Sequence, residues 1–206
     1  MFAIVESGSI TSMPNGNKGV QIGDIKYPAT IYTLWTESER NAIGVYTVEI
    51  DSTNKKNQEW YINTDITYAF SGGKVTGSYG TATAKAHADT TYTEQDKTDN
   101  LIPADKDVGD IKSRGLKYQL IYKVKAEAES ILNETDWYIT RKAEKSTAIP
   151  SAITTHRDAV RTKQASMETA ITNAADTPAL ETLFTYTKQE DGSFTRPLGE
   201  LPTLGD

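Results

Sequence analysis

A chain of 206 residues that is 37% hydrophobic, with a mean hydropathy of -0.53, can form one large domain or two small ones, and its cores must be small. A net charge of -6 and a pI near 5.1 argue against a nucleic-acid binder that works through bulk electrostatics. The absence of cysteine removes a disulfide framework, a zinc–thiolate site and a thiol nucleophile.

The opening MFAIVESGSI has neither a basic segment nor a long apolar one, so no signal peptide is expected. No apolar run approaches the roughly 18 residues that span a bilayer, so the expectation is a soluble protein made in a cytoplasm. Phe2 to Val5, the turn Glu6-Ser7-Gly8-Ser9 and Ile10 predict a strand and its return. Pro14-Asn15-Gly16-Asn17 marks another turn, and Val20, Ile22 and Ile25 around Gly23-Asp24 predict a small hairpin that Pro28 ends. Leu34 to Gly44 reads as a brief helix. Thr36 is its N-cap, Glu39 the capping-box partner and Gly44 the left-handed stop. Val45 to Ile50, Glu59 to Ile62, Asp65 to Phe70 and Lys74 to Tyr79 predict strands, the last two joined at Gly72-Gly73.

Residues 83–110 are small, polar and acidic; between Asp89 and Asp110 there are seven acidic and two basic residues. This predicts a linker. Asp105 to Asp110 resembles a calcium loop only superficially. The pattern wants an oxygen ligand at Gly109, a Gly at Asp110 and a Glu at Leu116. From Ile111 to about Glu134, Leu116, Leu120, Val124, Ala128, Ile131 and Leu132 form one apolar helical stripe, weakened near its start by Gly115. Lysines line much of the remainder, most simply as a solvated face. Pro150 suits the first turn of the next helix. There Ile153, His156, Val160, Met167, Ile171 and Ala174 approach a heptad seam. Such a seam packs against the 111–134 helix or against a copy from another subunit, so a homo-oligomer is one expectation. Pro178 opens a short helical turn from Ala179 to Phe184, and the aperiodic tail 185–206 is expected to need a surface to hold it.

The fold class expected is α+β: a small β-rich N-terminal domain (1–82), an acidic linker (83–110), a C-terminal helical hairpin (111–184) and an extended tail (185–206). No catalytic, cofactor-binding or metal-binding residues are expected. The chain has no G-x-S-x-G, P-loop or G-x-G-x-x-G, only His87 and His156 as imidazoles, and no carboxylate pair on one helical face: Glu127 and Glu129 point apart. Trp137 has two readings. It is the plug of the hairpin corner, with Asp136 supporting the turn or meeting Arg141, Arg157 or Arg161. Alternatively, Trp137 and these arginines form an exposed binding patch. The partner-binding candidates are Trp137, Arg141, Arg157 and Arg161, joined by Tyr186 and Phe194 on the tail.

The segment from Lys125 to Arg161, with Ala126-Glu127-Ala128, Ile131-Leu132, Thr135-Asp136-Trp137-Tyr138, Arg141-Lys142-Ala143-Glu144, Ile149-Pro150 and Arg157 with Arg161, resembles tail assembly proteins of tailed bacteriophages. His156 stands where such proteins often carry Tyr. Phe2-Ala3-Ile4-Val5, Gly23 to Ala29 and Glu37 to Glu49 are similar to small tail-fibre assembly chaperones. The resemblance implies a non-enzymatic protein without cofactor, nucleic acid or membrane partner, which binds a tail fibre or another tail protein and assists its folding, assembly or attachment. It places the protein in the host cytoplasm during assembly, or retained in the virion tail. The alternative is a permanent structural component of that tail, such as a fibre adaptor or baseplate-associated protein. In either case a β-rich module could cover unpaired fibre strands by edge pairing.

Overall fold

The computed structural model describes residues 1–205 and falls into two compact units, Met1–Thr83 and Ala84–Asp206. Its class is α+β, with a β-rich N-terminal region and C-terminal helices. No helix among the described residues is long and apolar enough to cross a membrane.

In the first unit, β1 (Phe2–Glu6) and β2 (Ser9–Ser12) form an antiparallel hairpin around Ser7 and Gly8, both at positive φ. A second hairpin, β3 (Val20–Ile22) and β4 (Ile25–Tyr27), turns at Gly23. Two short helices follow, α1 (Ile31–Leu34) and α2 (Glu37–Ala42). The reciprocal cap at α2 is present: Glu39 N donates to Thr36 Oγ1 at 3.3 Å and Thr36 N donates to Glu39 Oε2 at 2.7 Å. Gly44 ends the helix at φ +81, and a Cβ there would lie 2.6 Å from the Val5 carbonyl oxygen. That close approach lets β5 (Val45–Asp51) pair with β1.

Beyond β6 (Tyr61–Ile62), the hairpin of β7 (Ile66–Ser71) and β8 (Lys74–Tyr79) completes a five-stranded sheet of order β2-β1-β5-β8-β7. The β5/β8 pair is parallel and the rest are antiparallel. In that order β2 and β7 are the edge strands of the sheet, and they approach one another. Alternation divides its residues between two cores. Ala3, Val5 and Val75 fill the inside with Tyr46, Val48 and Phe70, while Ile4 and Val45 pack outward against Ile31, Tyr32 and the β3/β4 hairpin.

Strand β9 (Thr83–Ala84) lies at the division between the units. The second unit begins in the stretch expected to be a linker, and that expectation is corrected. Residues 84–115 carry β10 (Thr90–Thr91), α3 (Glu94–Thr98) and β11 (Ile111–Ser113), with β10 and β11 paired antiparallel. The carbonyls of Ala86 and His87 accept from Leu116 N and Lys117 N, and Asp89 accepts from Gly115 N at 2.8 Å and Arg114 Nη1 at 2.6 Å. The acidic stretch is therefore a clasp over the free N–H groups that open α4 (Leu116–Asn133). These bonds hold the Asp89 carboxyl below its ordinary range, Gly115 N first and Arg114 second. Gly115 sits just before the helix, not inside it.

The expected two-helix hairpin holds an additional helix at its corner. Helix α5 (Asp136–Lys145) stands between α4 and α6 (Ser151–Asn173). Helices α4 and α6 run antiparallel, since Lys117 Nζ donates to Thr172 O near one end and Arg157 Nη1 to Leu132 O at the other. Their shared stripe is Leu116, Leu120, Val124 and Ala128 against Ile153, Val160, Met167 and Ile171. The α6 seam is thus filled within the chain. Arg157 takes a buried place beside it, and His156 is only half-buried. Helix α7 (Thr177–Phe184) is capped by Asp176, whose Oδ1 accepts from Ala179 N at 2.8 Å. The tail is held by this unit itself: β12 (Thr187–Lys188) pairs with β13 (Phe194–Thr195), Leu198 is buried, and the Leu198 carbonyl accepts from Lys163 Nζ at 2.8 Å.

Candidate protein-docking site

The end of α4 is fastened from α6. Arg157 is 7% exposed, and its Nη1 lies 2.7 Å from Leu132 O, 2.6 Å from Thr135 Oγ1 and 2.8 Å from Asp136 Oδ1. The Leu132 carbonyl is among the last four of α4, which have no partner inside the helix. A cation belongs there because the helix terminus carries partial negative charge. Thr135, also buried, turns its hydroxyl to Leu132 O at 3.0 Å, and Asp136 opens the first turn of α5. One arginine therefore fixes where α4 stops and how α5 leaves it.

Helix α5, like the shorter α2, has none of its residues buried. Trp137 is 51% exposed, so the corner-plug reading is corrected; the buried corner is Thr135 with Arg157. The Trp137 and Tyr138 rings stack with centroids 3.9 Å apart, and the Arg141 guanidinium carbon lies 4.6 Å and 5.2 Å from those centroids. The helix makes this cluster automatically, because Arg141 stands four residues after Trp137 and three after Tyr138. Arg141 makes ring contacts only. It has no hydrogen bond or ion pair with any described residue, and its Nε is buried without a partner.

The remaining candidates fall elsewhere. Arg161 is exposed on α6 and pairs with Asp158 at 3.4 Å. Tyr186 donates to Glu200 Oε1 at 2.7 Å, and that bond, first among its causes, raises the phenol pKa. Arg196 lies 5.2 Å from the Tyr186 ring and reaches Glu200 Oε2 at 2.8 Å, so Tyr186 belongs to a small network that ties the tail down. Phe194 is 63% exposed on β13, in a hairpin whose four strand residues are all exposed. The structure thus joins Trp137 with Arg141, puts Arg157 at the corner between α4 and α5 as a positioning residue, and leaves Arg161 paired on its own helix. Tyr138, Thr135, Arg196 and Glu200 were not singled out in the sequence. Helical spacing marks Tyr138; no local pattern marks the others.

Among the described residues no group of three or more His, Asp or Glu is placed to hold a metal ion. What the exposed groups offer is recognition: flat aromatic area beside a planar cation, on helix α5, and a phenyl ring on an open two-stranded hairpin. No protein-family profile, curated protein or solved structure matches the chain.

Proposed function

We propose that the chain is a non-enzymatic bacteriophage tail protein that binds a tail fibre or another tail protein and assists its folding, assembly or attachment. One observation carries this reading. In the C-terminal unit α5 and the β12/β13 hairpin, like the β10/β11 pair, bury none of their own helix or strand residues, and the first two display Trp137 and Phe194. Aromatic and arginine side chains on such elements are what protein interfaces use as anchors. The likeness of Lys125 to Arg161 to tail assembly proteins supports the choice of partner.

The test is co-expression with the fibre protein of the same phage. The chain should raise the yield of soluble, trimeric fibre, and equal yields with and without it would sink the proposal. Mass spectrometry of purified particles then separates a transient assembly factor, absent from particles, from a tail component present at fixed ratio to the fibre.

A further inference from the structure

Resting on that reading, we infer that the exposed face of α5 takes an acidic segment of the partner protein: a carboxylate side chain on Arg141, with an apolar side chain next to it on Trp137.

Arg141 is the starting point. Every other arginine of the chain donates to a protein group: Arg40 to Trp35 O, Arg114 to Asp89, Arg157 to Leu132 O, Arg161 to Asp158 and Arg196 to Glu200. Arg141 alone among them donates to no described residue, although Trp137 and Tyr138 hold its guanidinium against their rings. A guanidinium fixed by its face presents its N–H edge, and a carboxylate matches that edge with two parallel hydrogen bonds. The rings lower the ordering cost of forming those bonds, because the side chain is already placed.

Charge selects the same ligand. The last turn of α5 adds Lys142 and Lys145, both exposed, while the Asp136 carboxylate at its start is neutralised by Arg157. Glu144 is the remaining acidic residue of the helix. The patch is therefore positive on a chain whose net charge is -6, so an acidic segment is drawn to α5 and repelled by most of the remaining surface. An isolated helix of about ten residues is marginal in water, and a partner laid along α5 would supply the packing that the fold does not.

The test is a selection from a random peptide display library on the full chain, followed by affinity measurement of the enriched peptides at low and high salt. The enriched peptides should carry Asp or Glu within two residues of an aromatic or large aliphatic residue. R141Q should weaken them about tenfold or more, as loss of a charge-assisted hydrogen-bonding group does. W137A should act similarly, R141K should be intermediate, and K142Q/K145Q should flatten the salt dependence. Circular dichroism should be unchanged in all of them, since no residue of α5 is part of a core. Enriched peptides without carboxylates, or equal binding by R141Q, overturn the inference. So does self-association at assay concentration that R141Q abolishes, which would make a second copy the occupant. Co-expression separates the two levels. If wild type and R141Q raise soluble fibre equally, docking stands and this inference fails; if wild type raises none, the function itself fails.

Discussion

Arg157 and Trp137 stand one helix apart and should behave oppositely on substitution. Replacing Arg157 by Met keeps apolar bulk but removes the cation shared by Leu132 O, the buried Thr135 hydroxyl and Asp136, leaving Leu132 O only its bonds from Thr135 and the Asp136 carboxylate without its ion pair. The expected cost is about 1–3 kcal/mol, read as an earlier unfolding transition of the helical unit in urea. Trp137→Ala should change stability by no more than about 0.5 kcal/mol, because the ring is half exposed and fills no core. A second residue-scale test concerns Asp96. Lys112, then the Thr93 backbone N–H and the Thr93 hydroxyl, hold its carboxyl at about 2, down from 3.8. A depressed folded value means that these bonds stabilise the β10–α3 corner above the unfolded value. The contribution is lost as pH falls from about 4 toward about 2. The Asp96 carboxyl carbon resonance should titrate near 2, and Asp96→Asn should remove the accompanying shift of the Thr93 amide. A midpoint near 4 would contradict the arrangement.

Gly115 tests the clasp over α4 at the scale of an element. A Cβ at that position would lie 2.3 Å from both the carbonyl carbon and the oxygen of Ala88, a backbone that cannot rotate away as a side chain can. Gly115→Ala should push residues 86–89 off the helix, at about 1–3 kcal/mol, and speed hydrogen exchange at Leu116 and Lys117. The tail should respond separately. Leu198→Ala removes its buried anchor and should open residues 186–205 to proteolysis while α4 and α6 remain folded. The same elements show what was legible in the sequence. The Thr36/Glu39 cap and the Gly72-Gly73 hairpin use residues three to a few apart, and local patterns mark them. The clasp joins Asp89 to Gly115 across 26 residues, so the acidic run read as a linker. The exposure of Trp137 depends on Arg157 fixing the exit of α4, and nothing between positions 135 and 145 reveals it. Arg141 was visible as a candidate, but its lack of an acceptor was not, because that depends on what the fold leaves out of reach.

The units Met1–Thr83 and Ala84–Asp206 each have a core of their own: Ile4, Ile31, Val45 and Val75 in one, Val124, Val160, Met167, Ile171 and Leu180 in the other. Residues 1–83 and 84–206, expressed separately, should therefore each give a dispersed amide spectrum that overlays the matching signals of the whole chain. A fragment of that first length hides only about 60% of its unfolded surface, so it should melt below the helical fragment. The consequence for binding is direct, because α5 and the β12/β13 hairpin both lie in the second unit. The 84–206 fragment should bind the peptides selected on the full chain within about twofold of its affinity, the spread expected when no contact is lost. If the fragment folds but binds more than about tenfold weaker, the first unit contributes to the partner surface. The assignment of docking to the helical unit would then be wrong, even with Arg141 essential.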